Sequence, residues 1–113
     1  MKAISIKGHW AKLIRDGLKT IETRTWKTDY RGKLLLCCSK KPASSLSGMA
    51  FAVCDLVDIR PMTRQDEHEA QCKKYKGAYS WILKNVKPIA LFPVKGKLSI
   101  FEVSYDSKIA KER

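Results

Sequence analysis

Acidic residues are scarce in this sequence. Its 113 residues include 11 Asp plus Glu against 23 Lys plus Arg, which gives a formal net charge of +12 at pH 7. A folded domain with this imbalance repels itself, so a polyanionic partner is favoured, and nucleic acid is the first candidate. The alternative is a basic surface that serves only solubility.

Long apolar runs are also missing. No stretch approaches the roughly 20 apolar residues of a membrane-spanning helix. No basic helix with a broad apolar face is present that would lie on a membrane surface. Only four residues separate Lys2 from Lys7, too few for the apolar segment of a secretory signal. We therefore expect a cytoplasmic protein that does not bind membranes.

Metal-binding patterns are absent as well. The sequence has four cysteines: Cys37, Cys38, Cys54 and Cys72. They form no C-x-x-C pair, and neither His9 nor His68 has a second ligand at a fixed spacing, so we predict no metal site and no cofactor. Cys37 and Cys38 are adjacent on a predicted strand and therefore point to opposite faces. We predict that all four are buried, reduced thiols.

Apolar residues nevertheless make up 44% of the chain and recur along most of it, so we expect a packed core. Alternating or apolar segments predict strands at 3–7, 20–26, 33–39, 49–62 and 77–83, with one or two more between 87 and 105. Trp10, Leu13, Ile14 and Leu18 share one face of a short helix that ends near Gly17. Thr63, followed three positions later by Asp66, begins a second helix over 63–75, which is polar and exposed.

Five to seven short strands without long crossover helices are typical of a small barrel. We therefore predict the α+β class, with a mixed or antiparallel small β-barrel and two or three short helices. The chain is expected to form one domain over 1–113 and to be a monomer, with a basic tail at 106–113 that frays.

The stretch GLKTIETR places three charges in and beside a predicted strand. Alternation puts Glu22 and Arg24 on one face, about 7 Å apart at Cα, and Lys19, just before the strand, can turn toward the same side. Two cations then face one carboxylate, and the unmatched cation in a cleft offers a place for an anion such as phosphate. The alternative is a surface strand whose charges are simply solvated.

The motif Gly17-x-Lys19-x-x-Glu22-x-Arg24 resembles the G-x-K-x-x-E-x-R signature of the ASCH domain family, and the flanking segments agree over about residues 3–103. The resemblance implies a PUA-like β-barrel, an RNA-related role, and a cleft lined by the three charged residues. Two positions depart from the family pattern. Cys37-Cys38-Ser39 stands where His-Ala-Ser/Ala is common, and Gly8-His9-Trp10 stands where Gln-Pro-Trp is common.

Two functions use this cleft. As a binding module it takes RNA, another single-stranded nucleic acid or a nucleotide-like small molecule, with Lys19 and Arg24 on phosphate and Glu22 orienting Arg24. As a small hydrolase it uses Lys19 as a base and Glu22 as a proton shuttle. Ribonuclease chemistry suits these residues better than hydrolysis of N4-acetylcytidine, since that branch of the family has threonine at position 22. A protein-binding adaptor is a third, weaker reading.

Further ligand contacts are predicted around this cleft. We place Ser39, Lys40, Tyr79 and Trp81 there, with Trp81 as the first candidate for stacking on a base. Trp10 is assigned to the core because it lies on the apolar helix face. Several other lysines are within reach of phosphate: Lys41, Lys73, Lys74, Lys76, Lys95 and Lys97.

Overall fold

The computed structural model describes residues 1–105. Its elements follow the chain in the order β1 (Lys2–Ile6), α1 (Gly8–Arg15), β2 (Ile21–Arg24), β3 (Gly32–Cys38), β4 (Met49–Pro61), a 3-10 turn (Arg64–Asp66), α2 (Glu67–Ala70), β5 (Tyr79–Pro93) and β6 (Phe101–Glu102). The predicted α+β class is confirmed, with six strands and two short α-helices within this range. The predicted basic tail at 106–113 lies outside the described residues.

The six strands form one mixed sheet in the order β2-β5-β4-β3-β1-β6. Only β1 and β3 run parallel, and the other neighbouring pairs are antiparallel. Within residues 1–105 no backbone pairing joins the edge strands β2 and β6, so the sheet is not closed into a barrel there. The sheet nevertheless curls and brings β2 close to β1, since the Arg24 guanidinium on β2 reaches the backbone carbonyl of Ser5 on β1 and donates a hydrogen bond to it.

Strand β3 divides its side chains between two layers of the core. Leu34, Leu36 and Cys38 pack into the main core beneath α1. Leu35 and Cys37 pack on the other face, against residues of β4, β5 and β6. The prediction that Cys37 and Cys38 face opposite sides is therefore confirmed, and the unbroken apolar run reflects burial on both faces.

Helix α1 ends near Gly17, as predicted from the sequence. Gly17 has a φ of +80°, its N–H donates to the Ile14 carbonyl at 3.1 Å, and the Leu18 N–H donates to the Leu13 carbonyl at 2.9 Å. These two bonds define a Schellman motif, in which a glycine adopts the left-handed conformation at low cost. The motif turns the chain from the helix directly toward Lys19 and β2.

The second predicted helix is shorter than expected. Helix α2 ends at Ala70, and Gln71 stops it with a φ of +55°, so residues 71–75 form a loop. The predicted capping acid is present, since Asp66 Oδ2 accepts the Thr63 N–H at 3.0 Å. The segment is not wholly exposed, because Asp66 and Ala70 are both buried. No helix within residues 1–105 has the length and apolar character needed to cross a bilayer.

Strand β5 joins two segments that were predicted as separate strands, 77–83 and the strand that starts at 87. The chain passes the intervening polar residues with Asn85 at a φ of +56°, and its amide donates to Asp55 Oδ2 at 2.8 Å. The register between β4 and β5 shifts nearby. Asparagine tolerates the left-handed region, so β5 bends at Asn85 and continues as one strand. This strand therefore belongs to both halves of the curled sheet.

Candidate functional site

Three charged side chains meet at the edge of the sheet formed by β2. Glu22 Oε2 lies 3.1 Å from Arg24 Nη2, and Glu22 Oε1 lies 3.8 Å from Lys19 Nζ. Alternation along β2 places Glu22 and Arg24 on one face, and Lys19 approaches from the turn after α1. Glu22 is only 5% exposed, so a buried carboxylate bridges two cations.

Lys19 lies beneath the site, and its contact with a ligand stays a prediction. The side chain is 1% exposed, its ammonium donates to the Ala70 carbonyl, and it lies 4.7 Å from the centroid of the Trp10 ring. Burial lowers the pKa of Lys19, and the neighbouring Glu22 opposes that shift. Lys19 therefore supports the carboxylate from behind and joins α2 to β2.

A cleft of about 390 Å³ is bounded by this charged cluster. Its lining residues are Ser5, Lys7, Trp10, Glu22, Thr23, Arg24, Ser39, Cys72, Tyr75, Lys97 and Leu98. They come from β1, α1, β2 and four connecting segments, which the curl of the sheet brings together. The volume falls within the range of small-ligand pockets. Three lining cations, Lys7, Arg24 and Lys97, face one carboxylate, so the cleft attracts anions.

Two buried polar atoms of lining residues have no hydrogen-bond partner within residues 1–105: Ser5 Oγ and Arg24 Nε. Buried polar groups are nearly always paired in folded proteins, and an unpaired one costs about 1–3 kcal/mol. The Nη2 atom of Arg24 is already paired with Glu22 and with the Ser5 carbonyl. An acceptor on a bound ligand would complete the hydrogen bonding of this fixed guanidinium.

Two aromatic side chains, Trp10 and Tyr75, belong to the cleft wall. Trp10 is half-buried, with the Lys19 ammonium against its ring. Tyr75 is 41% exposed, and its hydroxyl donates to Thr23 Oγ1 at 3.0 Å. The sequence pattern assigns Trp10 to the core and does not single out Tyr75, which lies in a lysine-rich loop without periodicity. The helix pattern predicts the inward face of α1 but not that Trp10 on this face also lines the cleft.

Trp81, the predicted base-stacking residue, is part of the core. It is 0% exposed, packs edge-to-face on Trp26 with ring centroids 4.9 Å apart, and donates its indole N–H to the Trp26 carbonyl at 3.3 Å. Trp81 lies opposite Glu22 in the β2–β5 register, and β5 is covered by β2 and β4 on its two sides. Trp81 thus belongs to the main core and does not line the cleft, and its contact with a base stays a prediction.

Of the other residues predicted to contact a ligand, one lines the cleft and two lie outside it. Tyr79 does not line the cleft, and Lys27 Nζ lies 5.6 Å from its ring centroid. Ser39 lines the cleft, and its contact with a ligand stays a prediction. Lys40 lines an adjoining depression of about 370 Å³, together with Lys95 and with Ser39, Lys97 and Leu98, which are shared with the cleft.

The thiols differ in their surroundings. Cys37, Cys38 and Cys54 are buried, and burial raises the pKa of Cys37 and that of Cys54 to about 12. Cys72 is half-buried and lines the cleft, 3.9 Å from Thr23 Oγ1, so the prediction of four buried thiols was wrong at this position. Within the described part of the chain no three His, Cys, Asp or Glu side chains come close enough to hold a metal ion.

A second charged cluster anchors the segment that leads to Cys72 and Tyr75. Arg60 donates to both carboxylate oxygens of Asp66, at 2.6 and 2.8 Å, and Ser80 Oγ donates to the same carboxylate at 2.9 Å. These hydrogen bonds, with Arg60 first, hold the pKa of Asp66 well below its usual range. The carboxylate thus ties the 3-10 turn to β4 and β5, which places the following loop beside the cleft.

The curled mixed sheet and the two short helices define a small α+β domain, which is compatible with the PUA-like fold. The sequence pattern of the ASCH domain matches residues 4–93, and the chain belongs to the ASCH domain family. The resemblance seen in the sequence is therefore confirmed.

Known proteins similar to this chain agree with that assignment. Activating signal cointegrator 1 of Mus musculus is 25% identical over 132 residues, covering 94% of this chain and 22% of the relative. The chain thus spans about a fifth of the length of that relative. The crystal structure of ASCH from Zymomonas mobilis superimposes with a TM-score of 0.70 at 15% identity, covering 90% of this chain and 86% of that one. A point mutant of the same protein gives a TM-score of 0.63 at 16% identity, covering 82% and 75%. At these identities the structural likeness shows the fold alone.

Proposed function

We propose that this ASCH domain binds single-stranded RNA and holds one unstacked nucleotide in the cleft. ASCH domains are generally linked to RNA binding. The observation that carries the proposal is the unpaired Nε of Arg24, which belongs to a cleft with aromatic and cationic walls.

The lining residues match the parts of a nucleotide. Exposed bases of single-stranded RNA stack on aromatic side chains, and Trp10 and Tyr75 provide such surfaces. Lys7 and Lys97 add positive charge for phosphate. Glu22 fixes the plane of the Arg24 guanidinium, so its remaining donors are oriented before a ligand arrives.

Duplex RNA is expected to bind less well than a single strand. Bases in a duplex are stacked on one another and cannot offer their faces to Trp10 or Tyr75. Lysines still attract the duplex backbone, but that attraction does not require a base to enter the cleft. The difference between single strand and duplex therefore reports on nucleotide capture.

The hydrolase alternative requires Lys19 to reach a substrate. Its side chain is 1% exposed, it packs against Trp10, and its ammonium is bonded to the Ala70 carbonyl. This placement favours a structural role for Lys19, so we propose no second function. Analysis of the RNA after each binding experiment checks for cleavage.

The test is fluorescence anisotropy with a labelled single-stranded RNA of about 12 nucleotides, a length within the range of single-strand binding sites. Tyr75→Ala should weaken binding by roughly 5- to 150-fold, since one base–aromatic stack is worth about 1–3 kcal/mol. Tyr75→Phe keeps the ring and loses only the hydroxyl that bonds to Thr23, so it should bind more tightly than Tyr75→Ala. Leu91→Ala, which removes an exposed apolar side chain of β5 outside the cleft, is the matched control.

Two results would contradict the proposal. One is a Tyr75→Ala variant that binds the single strand as tightly as the unaltered chain. The other is equal affinity for the single strand and its duplex, which would show that the backbone charge alone determines binding.

A further inference from the structure

We infer that the loop after α2 forms a second site, which binds phosphates of the RNA segment next to the nucleotide in the cleft. The inference rests on the proposed function and adds to it a separate binding site, with phosphate as its ligand.

The site is a depression of about 650 Å³ that adjoins the cleft. Its lining residues are Arg64, Glu67, Lys73, Lys74, Tyr75 and Lys76. Tyr75 also lines the cleft, so one aromatic side chain forms a wall of both spaces. A strand that leaves the cleft past Tyr75 meets four cations and a single carboxylate.

The four cations of this depression are exposed and available. Within residues 1–105 none of their side chains takes part in an ion pair or hydrogen bond. The one nearby carboxylate, Glu67, accepts the backbone N–H of Lys74 at 2.7 Å and thus fixes the chain without pairing with an ammonium group. A cluster of like charges with no internal partner favours a polyanion.

The loop that carries these lysines is held in position. Gln71, at a φ of +55°, begins it, and Gly77, at +79°, lies near its end. The Ala78 N–H donates to the Tyr75 carbonyl at 3.2 Å, and the Tyr75 hydroxyl donates to Thr23 on β2. Because the backbone is fixed in advance, binding requires little ordering of the loop.

A second depression with cations adjoins the cleft through other lining residues. The depression that contains Lys40, Lys95 and Lys97 shares Ser5 and Ser39 with the cleft. Three spaces therefore follow one another, with cations at both ends and aromatic side chains in the middle. This order suits a single strand, whose phosphates continue on both sides of a captured base. The loop after α2 is the end that can be tested cleanly, because its lysines are separate from the cleft lining.

The experiment compares Lys74→Ala/Lys76→Ala with the control Lys12→Ala/Lys84→Ala. The two variants lose the same charge, and the control residues line neither the cleft nor the loop depression. Alanine keeps the Lys74 N–H that donates to Glu67, so the loop backbone is preserved. The probes are the single-stranded RNA of about 12 nucleotides, followed by anisotropy, and the nucleoside 5′-monophosphates, followed by NMR titration of the full chain.

The loop variant should reduce the slope of log affinity against log salt by about 1.4 for the RNA, since each phosphate contact on a single strand contributes about 0.7. Its affinity for the monophosphates should not change, because they occupy only the cleft. The control variant should leave both quantities unchanged. An unchanged RNA slope in the loop variant, or an equal fall in the control, would overturn the second site while leaving Tyr75-dependent binding intact. RNA binding that does not depend on Tyr75 would instead overturn the proposed function.

Discussion

Replacing Glu22 by glutamine is predicted to destabilise this domain strongly. The carboxylate lies 3.8 Å from Lys19 Nζ and 3.1 Å from Arg24 Nη2, and it is the one carboxylate paired with these cations within residues 1–105. Glutamine has nearly the same shape but no charge. Lys19, which is almost completely buried, then keeps its charge without a counter-ion.

The size of the effect follows from burial. Removing one partner of a buried ion pair costs about 3–5 kcal/mol. The Arg24 side chain is 18% exposed and keeps part of its hydration, so a loss of about 3 kcal/mol, at the lower end, is expected. That loss is a large share of the roughly 5–15 kcal/mol by which folded domains are stable. At about 4 °C per kcal/mol for a domain of this size, it lowers the melting temperature by about 12 °C.

The effect should also depend on pH. Without Glu22 the pKa of Lys19 falls further below 10.5, its value in the unfolded chain, because burial is no longer opposed by a nearby negative charge. A lysine whose folded-state pKa is depressed destabilises the fold while it is protonated, and the cost disappears as the pH rises toward 10.5. The deficit of the variant relative to the unaltered chain should therefore shrink at alkaline pH.

Urea denaturation followed by circular dichroism measures this loss. The matched control is Glu102→Gln, since Glu102 also has two cationic partners, Lys2 at 2.8 Å and the Met1 amino group at 3.3 Å. Its side chain is 64% exposed, so water screens the charges and little loss is expected. Equal losses in the two variants would refute the argument that burial makes the Glu22 cluster important.

Two further predictions concern stability. Asp66→Asn replaces a buried carboxylate that accepts four hydrogen bonds. The free energy of unfolding measured by urea denaturation should fall by about 2 kcal/mol. An unchanged urea midpoint would contradict this prediction. Burial raises the pKa of Cys37 and Cys54 from 9.0 to about 12, so their contribution to stability is complete below pH 9 and is lost as the pH rises toward 12. Cys54→Ala should therefore make the alkaline decline in unfolding free energy shallower, and a decline of unchanged steepness would argue against the assigned shift.

The geometry of the charged cluster was largely accessible from local sequence rules. A period of two along β2 places Glu22 and Arg24 on one face, and a glycine after an amphipathic turn indicates where α1 ends. The same rules explain why Cys37 and Cys38 separate into two layers of the core. Each of these features depends on residues that are close together in the chain.

The features that were missed depend on distant contacts. Trp81 is buried because its side chain packs in the main core, edge-to-face on Trp26, whereas Trp10 packs only partly against that core and also lines the cleft. No local pattern distinguishes these two tryptophans. Tyr75 belongs to the cleft through a hydrogen bond to Thr23, 52 residues earlier in the chain. The sequence does not predict that β5 continues through Asn85, because an asparagine among lysines is also typical of a turn.

The most direct test of the cleft as the RNA site is an NMR titration that observes the Nε–H group of Arg24 and the indole N–H of Trp10. With the single-stranded RNA of about 12 nucleotides, both signals should shift in step with the rise in anisotropy, because the ligand supplies the acceptor that Arg24 Nε lacks. Saturating RNA that shifts only lysine-rich surface segments, with both side-chain signals unmoved, would contradict the account.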